Sequence, residues 1–198
     1  KITRRFAITA NQSGQLTIQG PRLTGELYKT VSQTGYRPRT VRQVLDIQAQ
    51  AINLTVKAKP ASVTGQAWLV SDEVMLSEEL QNNATTMTVG QPITRTFTLI
   101  AANSSEKSLP TITFNYPDAV RIYPDKDEVS GFIHQGTAFA QRISSHAIIA
   151  EQPGELVLPE VTIPWWNSQT DQLEYAKVPE RKIMVVANDR ALEEAIPT

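Results

Sequence analysis

The fold turns on GELVLPEVTIPWWN, residues 154–167, where apolar and polar residues alternate up to two adjacent tryptophans. A strand sends neighbouring side chains to opposite faces, so Trp165 and Trp166 cannot share one core. Trp165 is in step with Ile163 and Val161, whereas Trp166 is in step with Pro164, Thr162 and Glu160. Trp165 is therefore expected in the core and Trp166 comparatively exposed, as a lid over a neighbouring strand or over the tail, or as an aromatic anchor for a partner. Leu156 and Leu158 have the opposite parity, which requires a one-residue shift near Pro159, through a bulge or a corner.

The same period of two recurs along most of the chain. Between residues 92 and 99, Ile93, Phe97 and Leu99 share a face with Arg95, which must reach the rim or find a partner. Further strands are expected at residues 111–116, with Ile112, Phe114 and Tyr116 inward, and at 119–123, 132–135, 137–150, 156–165 and 173–186. VGQP (89–92), YPDKDE (123–128) and QPG (152–154) punctuate them, proline fixing φ and glycine accepting φ > 0. Helix is scarce: TVRQVLDIQ from Thr40 carries a weak 3.6-residue pattern, and a second start is read at Asp189. Short strands at this spacing predict an all-β fold, a β-sandwich.

The opening stretch has an earlier counterpart. FAITANQSGQLTI from Phe6 aligns without a gap with HAIIAEQPGELVL from His146, at an offset of 147 − 7 = 140. Ala7, Ile8, Ala10, Gln12, Gly14 and Leu16 are each repeated 140 residues later. AINLTVKAKP near Ala51 parallels RKIMVVAN near Arg181 as a closing strand. The expected organisation is tandem sandwich modules, the first incomplete. Residues 1–59 form the last strands of a truncated module and residues 60–188 a complete one, with KAKPAS as the joint. Residues 189–198 are left as a tail, which the family resemblance given below would lead toward a membrane anchor.

Composition narrows the function. With 40% hydrophobic and 20% charged residues, the 198-residue chain is that of a folded protein. The absence of cysteine removes disulfides, thiolate nucleophiles and cysteine zinc sites, and no apolar run approaches the roughly 20 residues of a bilayer span. Net charge near zero hides a split: residues 1–60 balance to 10 − 2 = +8 and residues 61–198 to 9 − 18 = −9. The basic residues are scattered without interleaved aromatics, which argues against nucleic acid and for a solvated face or attraction between modules.

No catalytic constellation emerges and no cofactor is expected. His134 and His146 lie on separate strands without a carboxylate at ligand spacing, and read as surface or rim residues. Ser144 and Ser145 precede His146, but neighbours on a strand point apart, and neither a G-x-S-x-G elbow nor a phosphate-binding loop is present. The one carboxylate cluster is Asp125, Asp127 and Glu128, in the YPDKDE turn. It reads as a solvated turn, or as oxygen ligands for calcium or for a metal held by a partner.

An ordered set of motifs resembles the BatD family, the oxygen-tolerance or aerotolerance proteins of bacteria. It comprises GQAWLVSDEVMLSEEL, VGQPITRTFTLIA, the LP at Leu109, YPDK at Tyr123, QPGELVLPEVTIPWWNSQT and VPERKIMVV. The likeness spans nearly the whole chain and is strongest over residues 66–186. It implies a single-pass membrane protein with tandem immunoglobulin-like modules on the periplasmic face of the inner membrane, ahead of a C-terminal helix outside this chain. Family members are encoded beside MoxR-type ATPases and von Willebrand A-domain proteins, so the latter are the expected partners of a non-enzymatic interaction module in envelope stress. Trp166, Asp125, Asp127 and Glu128 are its candidate contact residues. The rival expectation is an extracytoplasmic carbohydrate- or ligand-binding sandwich with the tryptophans as its platform.

Overall fold

The computed structural model describes residues 6, 8–31, 37–63 and 68–188; the helix start read at Asp189 lies outside them. The chain divides into two compact units, Ala10–Ala61 and the remainder from Ser62 onward together with Lys1–Thr9, the division falling inside KAKPAS. The architecture is all-β, with strands in every layer and, among the described residues, helix confined to single 3-10 turns.

Ala10–Ala61 contains β1 (Gly14–Ile18), β2 (Arg22–Val31), β3 (Arg39–Gln48) and β4 (Ile52–Val56), paired antiparallel as β1 with β4 and β2 with β3. The helix expected from Thr40 is therefore strand. Thr40, Val41, Val44 and Ile47 are β-branched, and a full ten-residue ladder with β2 outweighs a weak helical period. Each ribbon has a polar and an apolar face. Thr17 donates to Asn53 at 2.7 Å and Arg22 pairs with Asp46 at 2.6 Å on the polar sides. Leu16, Leu54, Leu23 and Ile47 lie on the apolar sides, and none of the described residues of Ala10–Ala61 is buried.

The second unit is a β-sandwich. Its strands are β5 (Val70–Ser71), β6 (Val74–Leu80), β7 (Thr86–Thr88), β8 (Pro92–Ala102), β9 (Val120–Pro124), β10 (Glu128–His134), β11 (Thr137–Ala150), β12 (Gly154–Leu158), β13 (Val161–Asn167), β14 (Gln172–Val178) and β15 (Arg181–Val186). One sheet runs β10-β11-β8-β6. Along the other edge of the long strand β11, β10 covers its first half and β9 its second. Facing it are two three-stranded sheets, β14-β13-β5 and β12-β15-β7. Phe97, Leu99, Ile163 and Trp165 belong to one apolar cluster, and Leu80, Ile148, Leu158 and Ile183 to the other.

The parity shift near Pro159 is the corner between those two small sheets. Leu156 and Leu158 fill the second cluster, and Val161, Ile163 and Trp165 fill the first, as the chain leaves one sheet for the other. Proline suits the crossing because it has no N–H to waste outside a ladder.

Two expected strands are corrected. Residues 111–116 keep the alternating burial, Ile112 being buried and Thr111 and Thr113 exposed, but join no ladder. They lie inward through side chains alone. The 173–186 run is two strands interrupted at Pro179, β14 and β15, which belong to different sheets.

The 140-residue repeat reappears in the pairing. Gly14 opposes Val56 and Gly154 opposes Val185; Leu23 opposes Ile47 and Ile163 opposes Ala176. The first strand of each pair is offset by 154 − 14 = 163 − 23 = 140, and the second by 185 − 56 = 176 − 47 = 129. One difference of 140 − 129 = 11 residues, placed in the β2–β3 hairpin, accounts for both. Gly14 and Gly154 open equivalent strands at φ 120° and 132°, a backbone region that glycine alone adopts without strain.

Candidate functional site

Trp165 is buried, at 6% exposure, and Trp166 is half-buried, as the parity requires. The parallel pairing of β13 with β5 brings Trp166 beside Trp68, their ring centroids 5.7 Å apart and planes 38° apart. The Trp166 indole N–H donates to Asp171 at 3.2 Å, and its backbone N–H to Leu69 at 2.7 Å. Next to this pair, Asp72 accepts from the Ser168 hydroxyl and from Asn103 at 2.6 Å, which in that order hold its carboxyl below the usual range. These polar groups satisfy one another, so the corner ties together the segments that follow β5, β8 and β13.

The most strongly buried polar group is Arg95. On β8 it faces inward with 0% exposure, pairs with Glu78 of β6, and lies 4.6 Å from the Phe97 ring centroid. Its remaining donors reach the Tyr116 hydroxyl at 2.9 Å and the Pro159 carbonyl, at the sheet corner, at 3.3 Å. Arg181 adds a second cation 3.4 Å from Glu78. Arg95 thus found a partner rather than the rim. Its network couples the large sheet, the ladder-free 111–116 segment and the corner.

His146 belongs to this network, correcting the rim position expected for it: 1% of its surface is exposed. The Tyr116 hydroxyl, which accepts from Arg95, is hydrogen-bonded to His146 Nε2 at 2.6 Å, and His146 Nδ1 is buried without a hydrogen-bond partner. Burial first, and the charge of Arg95 second, lower the His146 pKa from 6.5 to about 4. The unfolded chain therefore binds this proton more readily than the native state. Its contribution to stability is complete above pH 6.5 and is lost as pH falls toward 4, on the order of 3 kcal/mol in all. Urea unfolding followed from pH 7 to pH 4 should show this slope, and His146→Phe should flatten it.

The carboxylates of the YPDKDE turn do not act together. Asp127 accepts from Ser144 at 2.8 Å and pairs with the mostly buried Arg142, Asp125 accepts from the Lys126 backbone N–H at 2.7 Å, and Glu128 is exposed. Among the described residues no group of three or more His, Cys, Asp or Glu is placed to hold a metal ion. His134 is exposed on β10. No described helix is long and apolar enough to cross a membrane.

The β10–β11 hairpin of the second unit exposes a run of apolar residues. Gln135 and Gly136, both at positive φ (50° and 85°), form its two-residue turn. Every residue of β10 is exposed, including Val129, Phe132 and Ile133 at 39%, 41% and 78%. Its ladder to β11 is unbroken over seven pairs, and its other edge pairs with no described strand. The Phe132 ring stacks on Phe139 at 5.2 Å, beside a groove of about 400 Å³ lined by Ser105, Glu106, Gly131 and Ile133.

No family model, curated protein or solved structure matches this chain. The reading of function therefore stands on the residues themselves. Trp68, Glu78 and the Phe132–Ile133 pair were not singled out from the sequence. Two consecutive large apolar residues on one strand do carry a signal, since one of them must point outward.

Proposed function

We propose that this chain is a non-enzymatic protein–protein interaction module of BatD type, held at the periplasmic face of the bacterial inner membrane and docking von Willebrand A-domain proteins. The observation that carries the reading is β10. An edge strand without proline, lysine or a bulge, exposing Val129, Phe132 and Ile133, leaves undefended the kind of edge that sheet proteins ordinarily protect. Such an edge offers backbone donors and acceptors to an incoming strand, with apolar side chains to anchor it. The resemblance of QPGELVLPEVTIPWWNSQT and its companion motifs to the family supplies the setting and the partner class. Saccharide binding is the weaker reading, because the Trp166 N–H is engaged by Asp171 and its ring lies against Trp68.

Calorimetric titration against A-domain ectodomains, and in parallel against cell-wall saccharides, tests both. Phe132→Asp and Ile133→Asp should each weaken protein binding at least tenfold, about 1.4 kcal/mol, while the melting temperature of the chain hardly moves. Loss of binding without Mg²⁺ and in Asp125→Ala or Glu128→Ala would assign a carboxylate bridge to the partner's metal. Asp127→Ala is a poor probe, since it also strips Arg142 of its partner. Absence of binding to every A-domain protein, or heat released only by saccharides, removes the reading.

A further inference from the structure

The free edge of β10 has a phase, and the phase specifies the strand that fits it. We propose that this edge selects an extended protein segment of the pattern apolar–x–basic–x–apolar, whose central lysine or arginine ends on the carboxylate of Glu106. The proposal rests on the docking role of β10 and names the chemistry of the segment that docks.

The turn sets the phase. Gln135 and Gly136, both at positive φ, make a two-residue hairpin of the type in which the flanking pair, His134 and Thr137, is hydrogen-bonded. Bonded and non-bonded pairs alternate along an antiparallel ladder, so Phe132, Ser130 and Glu128 also direct their backbone groups at β11. Val129, Gly131 and Ile133 therefore turn their N–H and C=O groups to the free edge. The Ala138 carbonyl, opposite Ile133, agrees: it accepts from the Asn103 N–H at 2.7 Å, on the side away from β10. Among the described residues no backbone hydrogen bond reaches those three from outside the hairpin.

The same three residues share one face of the strand. Gly131 is at its centre, and a Cβ there would lie 2.7 Å from Glu106 Oε1. The missing side chain leaves the Glu106 carboxylate against the strand beside the free edge. A residue added opposite Gly131 puts its Cβ on this face about 5 Å across, within reach of the carboxylate for a lysine or arginine side chain. Residues two positions to either side fall opposite Val129 and Ile133, both exposed and apolar, and match them best when apolar themselves. Glu106 is exposed and forms no ion pair among the described residues. Charge agrees on the larger scale, since residues 61–198 balance to 9 − 18 = −9. Lys107 lines the same groove, which makes an acidic central residue the alternative to exclude.

Fluorescence anisotropy of labelled peptides added to Lys1–Thr198 tests the proposal. The probes are acetyl-Ser-Val-Thr-Lys-Thr-Val-Ser-amide and the same peptide with glutamate in place of lysine. The lysine peptide should bind roughly tenfold more tightly or better, and Glu106→Gln should remove the difference. Gly131→Ala, whose Cβ displaces only the end of the Glu106 side chain, should weaken the lysine peptide while leaving the melting temperature in place. Methylating the lysine backbone nitrogen, which faces Gly131, should abolish binding; methylating a threonine nitrogen, which faces away, should not. Equal binding of the two peptides, or tighter binding of the glutamate peptide, overturns the proposal, as does indifference to methylation of the lysine nitrogen. The docking assay is judged apart from these results. A-domain binding lost in Phe132→Asp but unchanged in Glu106→Gln overturns the basic segment and keeps the docking role. A lysine preference without binding to any A-domain protein keeps the segment and removes that partner class.

Discussion

Replacing Glu78 by glutamine should destabilise the second unit by about 3–5 kcal/mol, one of the two largest single-residue effects expected in this protein. The change removes one charge and little volume. Arg95 then remains in a site with no exposed surface, facing the Phe97 and Tyr116 rings, without its counter-ion. Arg181 cannot compensate, because it is itself a cation. The double change Glu78→Leu with Arg95→Met should recover much of the loss, since an apolar pair needs no desolvated charge. Urea midpoints at constant m would measure the cycle. A single substitution costing less than 1 kcal/mol would show that Arg95 reaches water by another route.

Trp165→Ala should cost a comparable amount, about 3–5 kcal/mol, because it empties the core beneath β13. Trp166→Ala should cost about 1 kcal/mol, the worth of an aromatic contact with Trp68 and a surface hydrogen bond to Asp171. The contrast between neighbours is more informative than either value. Equal losses would mean that the strand does not hold one face inward as its parity demands.

Both predictions concern features with different visibility in the sequence. Trp165 was readable because alternation along one strand is a local property, and three apolar residues in step leave only one consistent inward face. The corner at Pro159 was readable for the same reason, as a break in that alternation. The duplicated ribbons were readable because repeated glycines and leucines mark repeated turns and strands. Arg95 was recognisable only as a problem, a charge on an apolar face; its solution, Glu78, sits two registers away on another strand.

The candidate site was less legible. β10 reads as strand from its apolar residues, but its standing as an unpaired edge depends on which strands lie beside β11, and pairing order is not a local quantity. The carboxylates at Asp125, Asp127 and Glu128 are close in sequence and diverge in space, because Asp127 turns to Ser144 and Arg142. The weak helical period from Thr40 lost to a ladder whose partner, β2, precedes it by a hairpin.

By itself the sequence determined the all-β class, the inward parity of the 154–167 stretch, the corner and the repeat, since each follows from spacing along one chain. Tertiary structure alone decided that His146 is buried, that residues 111–116 join no ladder, and that the apolar ribbons of Ala10–Ala61 stay uncovered. Burial and pairing are relations between surfaces. They depend on what another part of the molecule places opposite a residue, and no period along the chain encodes that.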